Sequence, residues 1–186
     1  MFQAVLIAGF GGQGVLSTGQ LLAYAGMLEG RHVAWIPSYG PEMRGGTANC
    51  GVTISDQPIS SPVVSEPTAL IAMNRPSLEK FERDVQPGGL ILVNSSLIDI
   101  KAKRNDLRVE YIQANELAEK IGNSKVANNI ILGALLAVTN VVSIDAVEES
   151  LRKVLPTHRH NLIPVNRQAL ELGWQLIQEK KTEQTP

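Results

Sequence analysis

Apolar positions follow two spacings along this chain, and the change between them divides it. The run Ala4-Val5-Leu6-Ile7-Ala8 is continuously apolar and ends in glycines. A run without alternation suits a central parallel strand buried on both faces. Over 15–29 the apolar residues Val15, Leu16, Leu22, Ala25 and Leu28 recur near helical spacing, and Gly30 closes the segment. Residues 32–36 predict a second strand, giving a β-α-β start. Alternation at Ala48, Cys50, Val52 and Ile54 predicts a half-buried strand over 47–55. Pro58, Pro62 and Pro67 then punctuate a connector with no helix-compatible stretch.

A short apolar strand over 69–73 follows, and Pro76 opens a helix over 77–85. Pro87-Gly88-Gly89 turns into a strand over 90–93, and 109–112 predicts the last strand. From Asn115 the spacing is helical throughout: 116–121, 126–142, 145–154 and 161–179. The polar tail 180–186 is expected to fray. The expected fold is α/β, an open, doubly wound, largely parallel sheet of Rossmann-like kind with a helical C-terminal third. One domain over 1–179 accounts for it, with no repeat and no linker.

The chain has 186 residues, 44% hydrophobic and 19% charged, with 17 Lys+Arg against 18 Asp+Glu. That apolar share supports a core and excludes disorder of the whole chain. A net charge near zero argues against a nucleic-acid binder. No apolar stretch reaches the ~20 residues of a membrane span, and no targeting segment is evident, so a cytoplasmic location is expected. The single Cys50 excludes an intramolecular disulfide, a cysteine-ligated zinc and a cluster held by this chain alone. Charge below the roughly 25% of ordinary domains fits a surface partly covered by partners.

Gly9-Phe10-Gly11-Gly12-Gln13-Gly14 lies between the first strand and the first helix. Glycines there permit a tight turn and let an anion approach N–H donors at a helix start. A dinucleotide site also needs a carboxylate about 20 residues on, at the end of the second strand. Ala34-Trp35-Ile36-Pro37-Ser38 holds none, so NAD is disfavoured; Val15-Leu16 after Gly14 gives no P-loop lysine. What remains is close packing alone, or an anion such as phosphate or the pyrophosphate of coenzyme A.

The second concentration of special residues is Ser38-Tyr39-Gly40-Pro41-Glu42-Met43-Arg44-Gly45-Gly46. Arg44 beside Gly45 and Gly46 offers a guanidinium and bare backbone donors to one carboxylate or phosphate. Tyr39 and Met43 add apolar contact. An exposed turn with a local Glu42–Arg44 pair is the plainer alternative. Other signals carry less. His158 and His160 lack a third metal ligand. Cys50 packs on the buried face of its strand. Lys101-Ala102-Lys103-Arg104, flanked by Asp99 and Asp106, is expected to be a solvated turn. Asn128 and Asn129 open an apolar helix, where they cap it or bond across an interface.

The two glycine-rich segments, together with Asn128-Asn129-Ile130-Ile131-Leu132-Gly133-Ala134-Leu135 and Asn166-Arg167-Gln168-Ala169-Leu170-Glu171-Leu172-Gly173, resemble the gamma subunit of 2-oxoacid:ferredoxin oxidoreductases. The resemblance runs over nearly the whole chain in order. It is strongest to the 2-oxoglutarate type, with the branched-chain and pyruvate types close behind. It implies oxidative decarboxylation of a 2-oxoacid to an acyl-coenzyme A, with electrons passing to ferredoxin. Thiamine diphosphate, Mg2+ and four-iron–four-sulfur clusters are then expected on alpha, beta and delta partners, because this chain has no G-D-G motif and one Cys. No catalytic acid, base, nucleophile or metal ligand is assigned here. The candidates for coenzyme A binding are Gly9, Gly11, Gly12, Gln13, Gly14, Tyr39, Arg44, Gly45 and Gly46. A free-standing nucleotide-binding regulatory module is the alternative from another class.

Overall fold

The computed structural model describes residues 1–39 and 47–183. In chain order they form β1 (Phe2–Phe10), α1 (Val15–Leu28), β2 (His32–Tyr39), β3 (Thr47–Ser55), β4 (Ala69–Ala72), α2 (Arg75–Phe81), β5 (Leu90–Asn94) and β6 (Arg108–Ile112). Four helices follow: α3 (Ala114–Lys120), α4 (Ala127–Thr139), α5 (Ile144–Val154) and α6 (Ile163–Glu183). The strands make one sheet in the order β2-β3-β1-β4-β5-β6.

The fold is α/β as expected, but the sheet is mixed. β1, β4, β5 and β6 run parallel in register, whereas β3 is antiparallel to both of its neighbours, β1 and β2. The physical reason is the short connection from β2 to β3. A few residues can join antiparallel strands, while a parallel pair needs a crossover of a dozen or more. The β1-α1-β2 crossover therefore skips one position, and β3 fills the slot.

Both faces of the sheet are covered. Val5, Ile7, Val52, Ile54, Ile71 and Leu92 pack in one core with α1, α4, α5 and α6. Leu6, Leu70, Ala72, Ile91 and Val93 pack on the opposite face with Leu78, Val85 and Ile98. This accounts for the unbroken apolar runs of β1, β4 and β5. β3 departs from the half-buried expectation, being buried along almost its whole length. The proline-punctuated connector lies over its outer face, and a Cβ on Gly51 would sit 2.9 Å from Val64 Cγ2.

In the helical third, α4 and α6 cross backbone to backbone. A Cβ on Gly133 would lie 2.0 Å from the Leu170 carbonyl oxygen, and one on Gly173 would lie 1.8 Å from the Ile130 carbonyl oxygen. Beside the crossing, Asn129 Nδ2 donates to Asn166 Oδ1 at 2.5 Å. α4 ends sooner than its apolar run, because Asn140 takes a left-handed conformation (φ 49°) as its C-cap. Ser143 then caps α5, accepting from Ala146 N.

The tail expectation is corrected over 180–183. These residues continue α6, and Lys180 Nζ donates to Glu110 Oε2 at 3.1 Å and to the Tyr111 carbonyl at 3.3 Å. Residues 184–186 lie outside the described residues. In the basic turn Lys101 and Lys103 are exposed as expected, while Arg104 is tied down: it pairs with Asp106 and donates to the carbonyls of Glu82 and Val85. The buried Glu82 carboxylate in turn accepts the backbone N–H groups of Lys103 and Arg104.

Candidate functional site

The glycine turn closes the C-terminal end of β1 and opens α1. Gly12 (φ 94°) and Gly14 (φ 77°) both take positive φ, where a side chain is strained, so the turn requires glycine at these two positions. Gly14 is the N-cap of α1 and no side chain caps this end; Ser17 Oγ and Thr18 Oγ1 instead donate back to the Gly14 carbonyl, at 2.9 and 2.8 Å. The first N–H groups of α1 therefore have no side-chain acceptor. Gly9 is bare for another reason: a Cβ there would lie 2.6 Å from Gln13 Oε1 and 2.8 Å from Met73 Cβ.

Gln13 uses both ends of its carboxamide inside the chain. Oε1 accepts from Phe10 N at 2.6 Å, and Nε2 donates to the Met73 carbonyl at 3.1 Å. Across the turn, Asn128 Nδ2 donates to Thr18 Oγ1 at 2.9 Å and lies 2.7 Å from where a Gly14 Cβ would project. Asn128 and Asn129 thus bond across helices, and neither caps α4, whose N-cap, Val126, has no side-chain bond.

These contacts border a cleft of about 360 Å³ at the C-terminal ends of the parallel strands. Gly12, Gln13, Gly14 and Ser17 form one wall, and Ser124, Lys125, Ala127 and Asn128 form another; Met73, Leu97 and Asn115 complete it. The start of α1, which has no side-chain cap, borders this space and brings the partial positive charge of its dipole, roughly half an elementary charge. Opposite it a 3-10 turn over Ser124–Val126 leads into α4, and there Asn123 Oδ1 accepts from Lys125 N at 3.0 Å. Among the described residues of the cleft Lys125 is the only cation, and it is exposed. Asn115 is held by Asn94, whose Nδ2 donates to Asn115 Oδ1 at 2.9 Å. Bare N–H donors, hydroxyls, carboxamides and one ammonium make a setting for an anion with several oxygens.

Of the candidates from the sequence, Gly12, Gln13 and Gly14 line this cleft, and Gly9 and Gly11 belong to the same turn. Gly45, Gly46 and Arg44 lie outside the described residues. Tyr39 ends β2, paired with Ala48, and its side chain is likewise outside them. The sequence reading missed Ser17, Asn115, Ser124 and Lys125. Nothing in the local pattern of 123–126 marks it as facing the glycine turn, because the meeting depends on α4 packing back on α1. Cys50 is buried away from this cleft, with Sγ donating to the Val15 carbonyl at 3.5 Å, and burial pushes its thiol up to about 11. The His160 ring contacts the Leu155 carbonyl at 3.0 Å. Among the described residues no group of three His, Cys, Asp or Glu side chains could hold a metal ion, and no helix is long and apolar enough to cross a membrane.

Residues 4–176 match the family model described as pyruvate ferredoxin/flavodoxin oxidoreductase. The ketoisovalerate oxidoreductase subunit VorA of Methanothermobacter marburgensis is 44% identical over 91% of this chain. The chain spans about a third of that relative's length, 35%. The 2-oxoglutarate synthase subunit KorC of the same organism is 35% identical over 96% of this chain and 98% of its own. Among solved structures, the gamma subunit of the keto/oxoacid ferredoxin oxidoreductase of Geobacter sulfurreducens superposes with a TM-score of 0.80. It shares 30% identity, covering 95% of this chain and 99% of that one.

Proposed function

The chain belongs to the pyruvate ferredoxin/flavodoxin oxidoreductase family, and from that premise we propose that it is the gamma-type subunit of a 2-oxoacid:ferredoxin oxidoreductase. The near end-to-end match to a gamma subunit of its own length carries this reading. In it, the complex decarboxylates a 2-oxoacid oxidatively, transfers the acyl group to coenzyme A and passes the electrons to ferredoxin. Thiamine diphosphate with Mg2+ supplies the carbanion chemistry and iron–sulfur clusters carry the electrons, both on alpha-, beta- and delta-type partners. This chain's part is to complete the complex and to hold the phosphates of coenzyme A in the cleft beside the glycine turn. Gly12, Gly14 and the start of α1 offer backbone donors, with Ser17, Ser124, Asn128 and Lys125 around them. Arg44, Gly45 and Gly46 belong to the same proposal from the sequence.

The relatives bear two substrate names, ketoisovalerate and 2-oxoglutarate, so they do not single out the 2-oxoglutarate type that the sequence resemblance favoured. The proposal is therefore for the 2-oxoacid class, with the thiamine-diphosphate partner reading the acid. The test is to purify the native complex through this chain and follow coenzyme A-dependent ferredoxin reduction with 2-oxoglutarate, 2-oxoisovalerate and pyruvate. One of these acids should support turnover in the complex and none with the isolated chain. Absence of any thiamine-diphosphate protein from the purified material would defeat the reading. Within an active complex, Lys125→Ala should raise the KM for coenzyme A about tenfold, the lower end of a charge-assisted contact at roughly 1.5 kcal/mol. The change in kcat should be small.

A further inference from the structure

Gln13 sits in the turn yet directs neither end of its carboxamide at the cleft. Oε1 takes the N–H of Phe10, the last residue of β1, and Nε2 gives a proton to the carbonyl of Met73, the residue after β4. The backbone of the turn closes in the same place, with Gln13 N donating to the Phe10 carbonyl at 3.2 Å. Gly9 makes room, since a Cβ there would collide with both Gln13 Oε1 and Met73 Cβ. The side chain bridges two adjacent parallel strands where their own ladder runs out: Met73 N still donates to the Ala8 carbonyl at 2.8 Å, and Gln13 makes the next tie.

We infer that Gln13 is a positioning residue, a latch that fixes the glycine turn against the end of β4 and so sets the distance between the start of α1 and the Met73 wall of the cleft. This rests on the reading of that cleft as the coenzyme A phosphate site. The chemistry of the two contacts explains why a carboxamide is needed. Phe10 N requires an acceptor and the Met73 carbonyl requires a donor, and both must come from one planar group. Glutamate meets only the first requirement when ionised. When protonated, it meets both.

That difference supplies the test, made in the active complex with two variants. Gln13→Met keeps the length and removes both bonds. It should speed exchange of the Phe10 amide at least tenfold in the isolated chain. In the complex it should raise the KM for coenzyme A at least fivefold, with kcat at saturating coenzyme A within twofold of wild type. Gln13→Glu should share the KM defect from pH 8 to pH 6, because a glutamate carboxyl, at about 4.3, stays ionised over that range and has no proton for the Met73 carbonyl. A residue that only stabilises the fold would not raise the KM while leaving kcat at saturating coenzyme A unchanged.

Unchanged Phe10 exchange in Gln13→Met overturns the latch. Faster exchange with an unaltered KM overturns the positioning role. A raised KM with unaltered exchange also overturns it, by showing that Gln13 touches the ligand itself. If the wild-type complex shows no dependence on coenzyme A, the proposed function fails and the positioning role falls with it. The amide measurement, which needs no ligand, then still reports on the latch.

Discussion

Replacing Gly133 by alanine tests the helix crossing directly. In an ordinary helix interior the change is favourable by roughly 1 kcal/mol, because alanine has the higher propensity. Here the new methyl would lie 2.0 Å from the Leu170 carbonyl oxygen, whereas carbon–oxygen contacts ordinarily settle at about 3.3–3.6 Å. The obstruction is backbone, so no side chain can rotate away and the helices must part by more than about 1 Å. A gap of 0.5–1 Å already forfeits roughly a quarter to a half of each dispersion contact across the seam. Ile130, Ile131, Leu132, Leu135 and Leu136 of α4 are all fully buried, so the movement propagates into the main core. Overpacking of this kind costs typically 1–3 kcal/mol and occasionally more. Taking about 3–5 kcal/mol here and subtracting the propensity gain leaves a net loss of about 2–4 kcal/mol. For a chain of this size that is a fall in Tm of roughly 5–15 °C. Urea and thermal unfolding followed by far-ultraviolet circular dichroism measures it. The double variant with Gly173→Ala should lose less than the sum of the two, since helices already parted for one methyl accommodate the second. An alanine at 133 that raises the Tm would refute the close crossing.

Two further outcomes follow from the electrostatics. The Cys50 thiol has its pKa raised by burial from 9.0 to about 11, so the folded state holds its proton more tightly than the unfolded chain. The associated stability is present in full below pH ~9 and declines between about 9 and 11, by at most about 2.7 kcal/mol. Urea unfolding at pH 8 and 10.5 should show this loss in wild type and not in Cys50→Ala; equal losses in both would discard the explanation. Arg167 of α6 bridges to α5 through Asp145 and Glu148 and pairs with Glu171 one turn along its own helix, and its pKa is raised first by the hydrogen bond to Glu148. Arg167→Met should destabilise by about 1 kcal/mol at low salt, the scale of partly exposed pairs. The difference should shrink in 0.5 M salt, and a salt-independent loss would point to packing instead.

The runs that form β1, β4 and β5 were legible in the sequence because both faces of these strands are covered by apolar layers, leaving no alternation to misread. The helices were legible where glycine or proline bounds them, while the end of α4 was not, because Asn140 stops it inside a continuing apolar run. What the pattern could not convey was direction: alternation at Ala48, Cys50, Val52 and Ile54 marks a strand but says nothing of β3 entering antiparallel between β1 and β2. The same holds for the site. Positive φ at Gly12 and Gly14 follows from residue type, and the glycine spacing announces the turn. Lys125 and Asn115 lie over a hundred positions away along the chain; the packing of α4 on α1 brings the first to it, and the bonds of Asn115 to Asn94 and Ser96 after β5 bring the second. Gln13 was visible as part of the motif, while its role depends on the Met73 carbonyl, which no local pattern reveals.

The slot filled by β3 also orders the assembly of the sheet. β2 and β3 are near neighbours in sequence, with Tyr39 opposite Ala48, and closing so short a loop costs little entropy. The pairings of β1 join far more distant positions, Phe2 with Ser55 on one flank and Val5 with Ala69 on the other. β1 precedes both of its partners in the chain, and its pairings are the non-local ones. Contacts of that kind are the slow ones to form, which places the burden of sheet completion on its central strand.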